Sequence, residues 1–294
     1  MQRSRVVLPG LLLGALLCAA CVDSGGGSGG GNKDGDAEAT PQSTPSGEIR
    51  VLVYGDSLWD KGGDPGDCDL CELFPADVIV TNYAHAGAEV WPREDCDGFQ
   101  GGVPVADDPG CRNGADRALR LQPDEDPAND FCGAEVDGQP TCLADQPPHD
   151  VVLLQFGTND VRTDLDDAVW QMAFANYERW IEEILQAIPA DTACVLVAPP
   201  PMWRPGYVTW NRRLAEVACS LTGAADRHGC TVADLVHTYL DIEAAQGEGA
   251  TLPFYKDCTA RATGSDCVHY SMPPPQVPAD EILDAIDRAL DPGA

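Results

Sequence analysis

The chain of 294 residues carries 48 acidic and only 18 basic side chains, a formal charge of −30 at neutral pH. Nucleic-acid phosphates and anionic lipid headgroups are gripped by clustered Lys and Arg, so neither is expected as a partner of a chain this acidic. The charge itself reads as a well-solvated surface.

Residues 1–20 open with Arg3 and Arg5, run through an almost wholly apolar stretch and end on Ala19 and Ala20, the pattern of a secretory signal peptide. The apolar run is too short to span a bilayer. Cys21 directly after two alanines suggests bacterial lipoprotein processing, in which that cysteine receives lipid and becomes the mature N-terminus. Cys18 stands where such signals usually carry Leu, with Leu17 one position further back, so simple cleavage after Ala20 is the alternative; both imply export. Removing the leader takes the charge to near −32. Residues 21–48 are rich in Gly and Ser, then Pro, Thr and Asp, and read as a flexible tether. One domain is expected over 49–294.

Within that domain, residues 49–54, 78–82, 151–156, 194–198 and 231–235 are short runs of β-branched or apolar residues, each read as a buried strand. Between the third and fourth, Leu165, Val169, Met172, Trp180, Ile184 and Ile188 recur at helical spacing behind Asp164, Asp166 and Asp167, which suit a helix N-terminus. Further helices are expected over 208–221 and 279–290. Strands alternating with helices imply a parallel sheet between two helical layers, with chemistry beyond the carboxyl ends of the strands.

Of thirteen cysteines, eleven remain once Cys18 is cut away and Cys21 is lipidated, an odd number that leaves at least one thiol unpaired. Export makes disulfides plausible. Connectivity does not follow from sequence, although Cys258 with Cys267 is attractive because it would brace the segment carrying Asp266 and His269. Zinc is the rival role for Cys68-x-x-Cys71, weakened by the lack of a second close Cys or His pair.

Immediately after the first strand, Gly55-Asp56-Ser57-Leu58 sets a small hydroxyl at the favoured end of a central strand. Alone this is ordinary turn chemistry. Three further blocks give it weight: Asn82-Tyr83-Ala84-His85-Ala86-Gly87, Gly157-Thr158-Asn159-Asp160 and Asp266-Cys267-Val268-His269. Together and in this order, the four blocks resemble those of the SGNH hydrolases, also called GDSL esterases and lipases, and the resemblance spans nearly all of residues 49–290.

That resemblance implies a flavodoxin-like three-layer α/β/α sandwich on a five-stranded parallel sheet, whose first strand lies between the second and third. It further implies a triad of Ser57, Asp266 and His269. A serine hydroxyl needs a neighbouring base before it can attack, a role that falls to His269, while Asp266 would orient the imidazole. The oxyanion hole would draw on the Ser57 and Gly87 backbone N–H groups and the Asn159 side-chain amide. Capping the following helix is the competing role for Asn159. No metal or organic cofactor is required.

Gly-rich matches to a nucleophile elbow and a dinucleotide fingerprint fall in the tether, follow no strand and carry nothing. His85, His149, His228 and His237 show no partner pattern and read as surface or satisfied core residues. Residues 91–148 are long, hold four cysteines and few apolar residues, and are expected to form a disulfide-held loop insertion. Trp91, Trp203, Tyr207 and Tyr270 are candidates either for the cleft or for core packing.

The sequence thus points to an exported serine esterase, monomeric, bound to the cell envelope through Cys21 or secreted. It would cleave small-molecule or carbohydrate esters, short acyl and acetyl groups favoured, by way of an acyl-enzyme on Ser57. The alternatives are a surface lipoprotein that binds carbohydrate on the same scaffold without turnover, and a lysophospholipase or thioesterase of the same fold.

Overall fold

The computed structural model describes residues 47–59, 68, 70–84, 88–90, 112–113, 135–136, 139–140, 143, 146–261 and 267–291. The expectations for the leader, for Cys21 and for the tether lie outside them.

Five strands make the sheet: β1 (Ile49–Gly55), β2 (Val78–Asn82), β3 (Val151–Gln155), β4 (Ala193–Ala198) and β5 (Thr231–Asp234). All neighbours pair in parallel, in the order β2-β1-β3-β4-β5, so β1 lies between β2 and β3 as the resemblance implied. Register is set early in each strand: Val51 pairs with Val151 and Ile49 with Val78. Asp150, just before β3, accepts the Arg50 N–H at 2.7 Å and returns its own N–H to the Arg50 carbonyl at 2.9 Å.

Side-chain alternation explains why these strands read as unbroken apolar runs. Leu52, Tyr54, Val152, Leu154, Leu196 and Ala198 enter one core, while Val51, Val53, Val151, Leu153, Val195 and Val197 enter the other. Both faces are dry, so no polar residue is needed at every second position. The first core is covered by α1 (Asp167–Ala187) and α2 (Tyr207–His228); α3 (Leu235–Gln246) sends Val236 into the first and Leu235 and Tyr239 into the second, which α4 (Gln276–Leu290) covers. These are the three layers expected.

Local chemistry sets the helix ends. Asp166 caps α1, its carboxylate accepting the Val169 N–H at 2.9 Å, and Asp234 caps α3 through the His237 N–H at 3.0 Å. α2 runs seven residues beyond the expected 221 and stops at Gly229, whose φ of 70° suits glycine and closes the C-terminal turn on Ala225. α3 was not expected from the sequence: its apolar residues do not gather on one face.

Disulfides join Cys68 to Cys71, Cys194 to Cys230 and Cys258 to Cys267. The Cys-x-x-Cys pair is therefore a disulfide rather than half of a zinc site. Of residues 91–148, the described ones include strand residues Arg112–Asn113, which pair with Ala88–Glu89, a short Glu135–Val136 and Gln139–Pro140 hairpin, and Leu143, buried in the first core. Cys96, Cys111, Cys132 and Cys142 lie outside the described residues.

Candidate active site

Gly55 ends β1 so close to β3 that a Cβ there would lie 2.9 Å from the Gln155 carbonyl oxygen; only glycine lets the strand exit at this point. The chain then turns, with the Trp59 N–H donating to the Asp56 carbonyl at 3.1 Å and the Leu58 N–H to the Asp56 carboxylate at 3.0 Å. Leu58 and Trp59 are pinned in the second core. Ser57 alone among residues 51–59 is only half-buried, held at the surface by buried neighbours on both sides.

Asn159 and His269 repeat that pattern. Asn159 is half-buried between Thr158 and Asp160, both buried, and His269 between buried Val268 and Tyr270. His269 Nε2 and Ser57 Oγ lie 2.9 Å apart, although 212 positions separate the residues in the chain. Asn159 Nδ2 donates one hydrogen to the Ala88 carbonyl at 3.1 Å, which fixes the amide plane and leaves its second hydrogen in a defined direction. Asp266 and Gly87 lie outside the described residues, as does His85.

Polar side chains to which the sequence alone assigns no role tie the strand ends together. Asn82, at the end of β2, donates to the Trp59 carbonyl at 2.9 Å and accepts the Ala84 N–H at 3.0 Å. Asp160 accepts the Gly157 N–H at 2.9 Å and the Val90 N–H at 2.8 Å, so one carboxyl joins the segment after β2 to the Asn159 turn. Gln155 Nε2 bridges Asp56 Oδ2 and Thr158 Oγ1, both at 3.3 Å. Asp56 and Asp160 are buried, and these donors are what a buried carboxyl needs; the sequence carries no signal of that burial.

Burial pushes the Asp56 carboxyl up to about 6, against hydrogen bonds from Leu58, Thr158 and Gln155 that favour the anion. Asp160 is likewise raised, first by burial and then by the nearby Asp56 charge. Asp56 would ionise near 3.8 in the unfolded chain. Its protonated form therefore favours the folded state below that pH, an advantage lost as pH rises to about 6. For Asp56→Asn, the melting temperature relative to wild type is expected to climb by a few degrees between about pH 4 and pH 7. Thermal melts across that range check it, and a flat or falling difference refutes it.

The other described histidines are bonded to partners of their own. His228 Nε2 lies 2.6 Å from Glu182, His237 Nδ1 lies 2.5 Å from Asp234, and His149 Nδ1 lies 2.7 Å from the Pro147 carbonyl. Each has local partners, in keeping with the role expected for it. Trp203 and Tyr270 are buried in the second core, which assigns them to packing, and Tyr207 packs half-buried against it.

A hydroxyl paired with an imidazole at the carboxyl end of a parallel sheet, beside a side-chain amide fixed in orientation, is an arrangement suited to acyl transfer. Residues 53–258 match the profile of the GDSL-like lipase/acylhydrolase family. No curated protein matches the chain at a significant level. Among solved structures, a serine-to-alanine mutant of an acetylxylan esterase from Geobacillus stearothermophilus is 14% identical, with 82% of this chain and 94% of that chain covered and a TM-score of 0.43. The C-terminal catalytic domain of peptidoglycan O-acetyltransferase A from Streptococcus pneumoniae is 13% identical, with 83% and 96% covered and a TM-score of 0.43.

Proposed function

The chain belongs to the GDSL-like lipase/acylhydrolase family and is a hydrolase of ester bonds; from that premise we propose that it is an exported serine esterase of short acyl or carbohydrate-linked acetyl groups. The observation that carries this reading is the 2.9 Å approach of His269 Nε2 to Ser57 Oγ.

In the proposed reaction His269 Nε2 takes the Ser57 proton as Oγ bonds to the ester carbonyl carbon. The carbonyl oxygen gains the charge and is held by the Ser57 and Gly87 N–H groups and the second Asn159 amide hydrogen. Collapse expels the alcohol, which receives its proton from His269, and leaves the acyl group on Ser57. Water, deprotonated by the same imidazole, then releases the acid and restores the serine. Asp266 orients the imidazole and balances its charge while it holds the proton.

Export is supported by the secretory pattern of residues 1–20 and by the three disulfides among the described residues, bonds that persist in oxidising compartments. Among the described residues no helix is long and apolar enough to cross a membrane; attachment, where it occurs, is through lipid on Cys21. The net charge of −30 disfavours anionic substrates and favours neutral or cationic ones. A panel of p-nitrophenyl esters of increasing chain length, run beside acetylated xylo-oligosaccharides, tests the proposal. Acetyl esters are expected to give the highest kcat/KM, and failure to turn over any short-chain ester would sink it.

A further inference from the structure

His269 needs more than a hydrogen bond to Ser57, because its segment is a short stretch without helix or strand of its own. The backbone on either side is clasped. Lys256 N–H donates to the His269 carbonyl and Ser271 N–H to the Phe254 carbonyl, both at 2.9 Å, and Tyr255 and Tyr270 form an antiparallel bridge between them. On the N-terminal side the Trp203 N–H donates to the Cys267 carbonyl at 3.2 Å.

Both clasps lead to one side chain. Residues 254–256 emerge from the turn Leu252–Phe254, whose Phe254 N–H bonds the Thr251 carbonyl at 3.0 Å. Thr251 is fully buried. Its N–H and its hydroxyl both donate to Glu243 Oε1, at 2.7 and 2.6 Å, and the same hydroxyl oxygen accepts Trp203 Nε1–H at 3.2 Å. Glu243 is anchored in turn at the end of α3: its Oε2 accepts the Gly249 N–H at 2.6 Å and Arg261 Nη2 at 2.5 Å. The Arg261 guanidinium carbon lies 4.1 Å from the centre of the Trp203 ring. Burial opposes the Glu243 charge, but the hydrogen bonds from Thr251 and Gly249 together with Arg261 hold its carboxyl below the usual range, so it remains an acceptor-only carboxylate.

We propose that the Thr251 hydroxyl, held by Glu243, is a positioning group for His269, setting both edges of the histidine segment from outside the active site. The inference rests on His269 acting as the base for Ser57. A hydroxyl is the chemistry this position requires: its single hydrogen goes to the carboxylate and its lone pair takes the indole N–H. Valine has the same shape and offers neither.

The test compares wild type with Thr251→Val, Thr251→Ser and Trp203→Phe. It follows the rate at which a fluorophosphonate labels Ser57, and kcat and KM for p-nitrophenyl acetate normalised to the labelled sites. Thr251→Val is expected to lower both the labelling rate and kcat about tenfold or more with KM within about twofold, because loss of geometry at the base acts on the chemical step. Thr251→Ser, which keeps the hydroxyl, is expected to stay within about threefold of wild type, and Trp203→Phe, which keeps the backbone bond to Cys267 and removes only the indole N–H that ties that clasp to Thr251, to fall between the two. Normalisation to labelled sites removes any effect that comes only from less folded protein. A Thr251→Val enzyme that labels and turns over at the wild-type rate overturns the proposal, as does a Thr251→Ser enzyme as impaired as Thr251→Val. Wild type that fails to label at all overturns the assignment of Ser57 itself, and this inference with it.

Discussion

Replacing Ser57 with alanine is expected to lower kcat for p-nitrophenyl acetate about 10⁴-fold or more, in line with nucleophile deletions in other serine hydrolases. The change removes one oxygen from a half-buried position and leaves the turn intact, since that turn is held by the Asp56 carboxylate on Leu58 N–H, by the Asp56 carbonyl on Trp59 N–H and by the burial of Leu58 and Trp59. Stability should therefore change little while the chemistry collapses. What activity survives would come from the oxyanion donors acting on attack by water, and fluorophosphonate labelling should disappear altogether. Hydrolysis within about tenfold of wild type would remove Ser57 from the mechanism.

Asn159→Ala is expected to cost about 10²- to 10³-fold in kcat, the usual effect of deleting one oxyanion donor. The loss should appear in kcat with KM nearly unchanged, because the amide hydrogen meets full negative charge only in the transition state. The Ala88 carbonyl holds the other hydrogen at 3.1 Å, so the amide is oriented before substrate arrives and needs no reorganisation during reaction. Steady-state kinetics on p-nitrophenyl acetate decide the point. A rise in KM alone would make Asn159 a binding residue or a structural tie to Ala88.

The sheet is legible in the sequence because its strands are buried on both faces: Val51 and Leu52 are equally apolar although they enter different cores. Boundaries are less so. The apolar run of the last strand reads through Leu235, but Asp234 accepts the His237 N–H and starts α3 one residue earlier. α3 escapes a search for periodicity because Leu240, Ile242, Ala244 and Ala245 spread its apolar residues around the helix, while the face it buries, Leu235, Val236 and Tyr239, includes the charged Glu243. Beyond 221, α2 buries only Ala224 and Ala225, whose small side chains give little periodic signal.

At the site, Ser57 and His269 are legible through their motifs, and the structure brings their side chains together. Cys258 and Cys267, attractive as a pair from their position, are joined. Asn82, Asp56 and Asp160 are not legible as ties between strand ends, because a polar residue in a turn motif looks the same in sequence whether it faces water or the core. Glu243, Thr251 and Arg261 are harder still, since nothing in their spacing joins a helix end, a turn and a loop.

The strand order also governs when the molecule can become active. β1 reaches its partner β3 only across a hundred positions, Val51 opposite Val151, so closing that loop costs entropy before any pairing offsets it. During synthesis Ser57 precedes β3, and it precedes His269, the base proposed for it, by 212 positions. Chains that stop before β3 would therefore hold β1 with only β2 at its side and its other edge unpaired, a state exposed to aggregation. In such a topology the Ser57–His269 pair can form only after all five strands have been made, which keeps the hydroxyl without its partner until the sheet is complete.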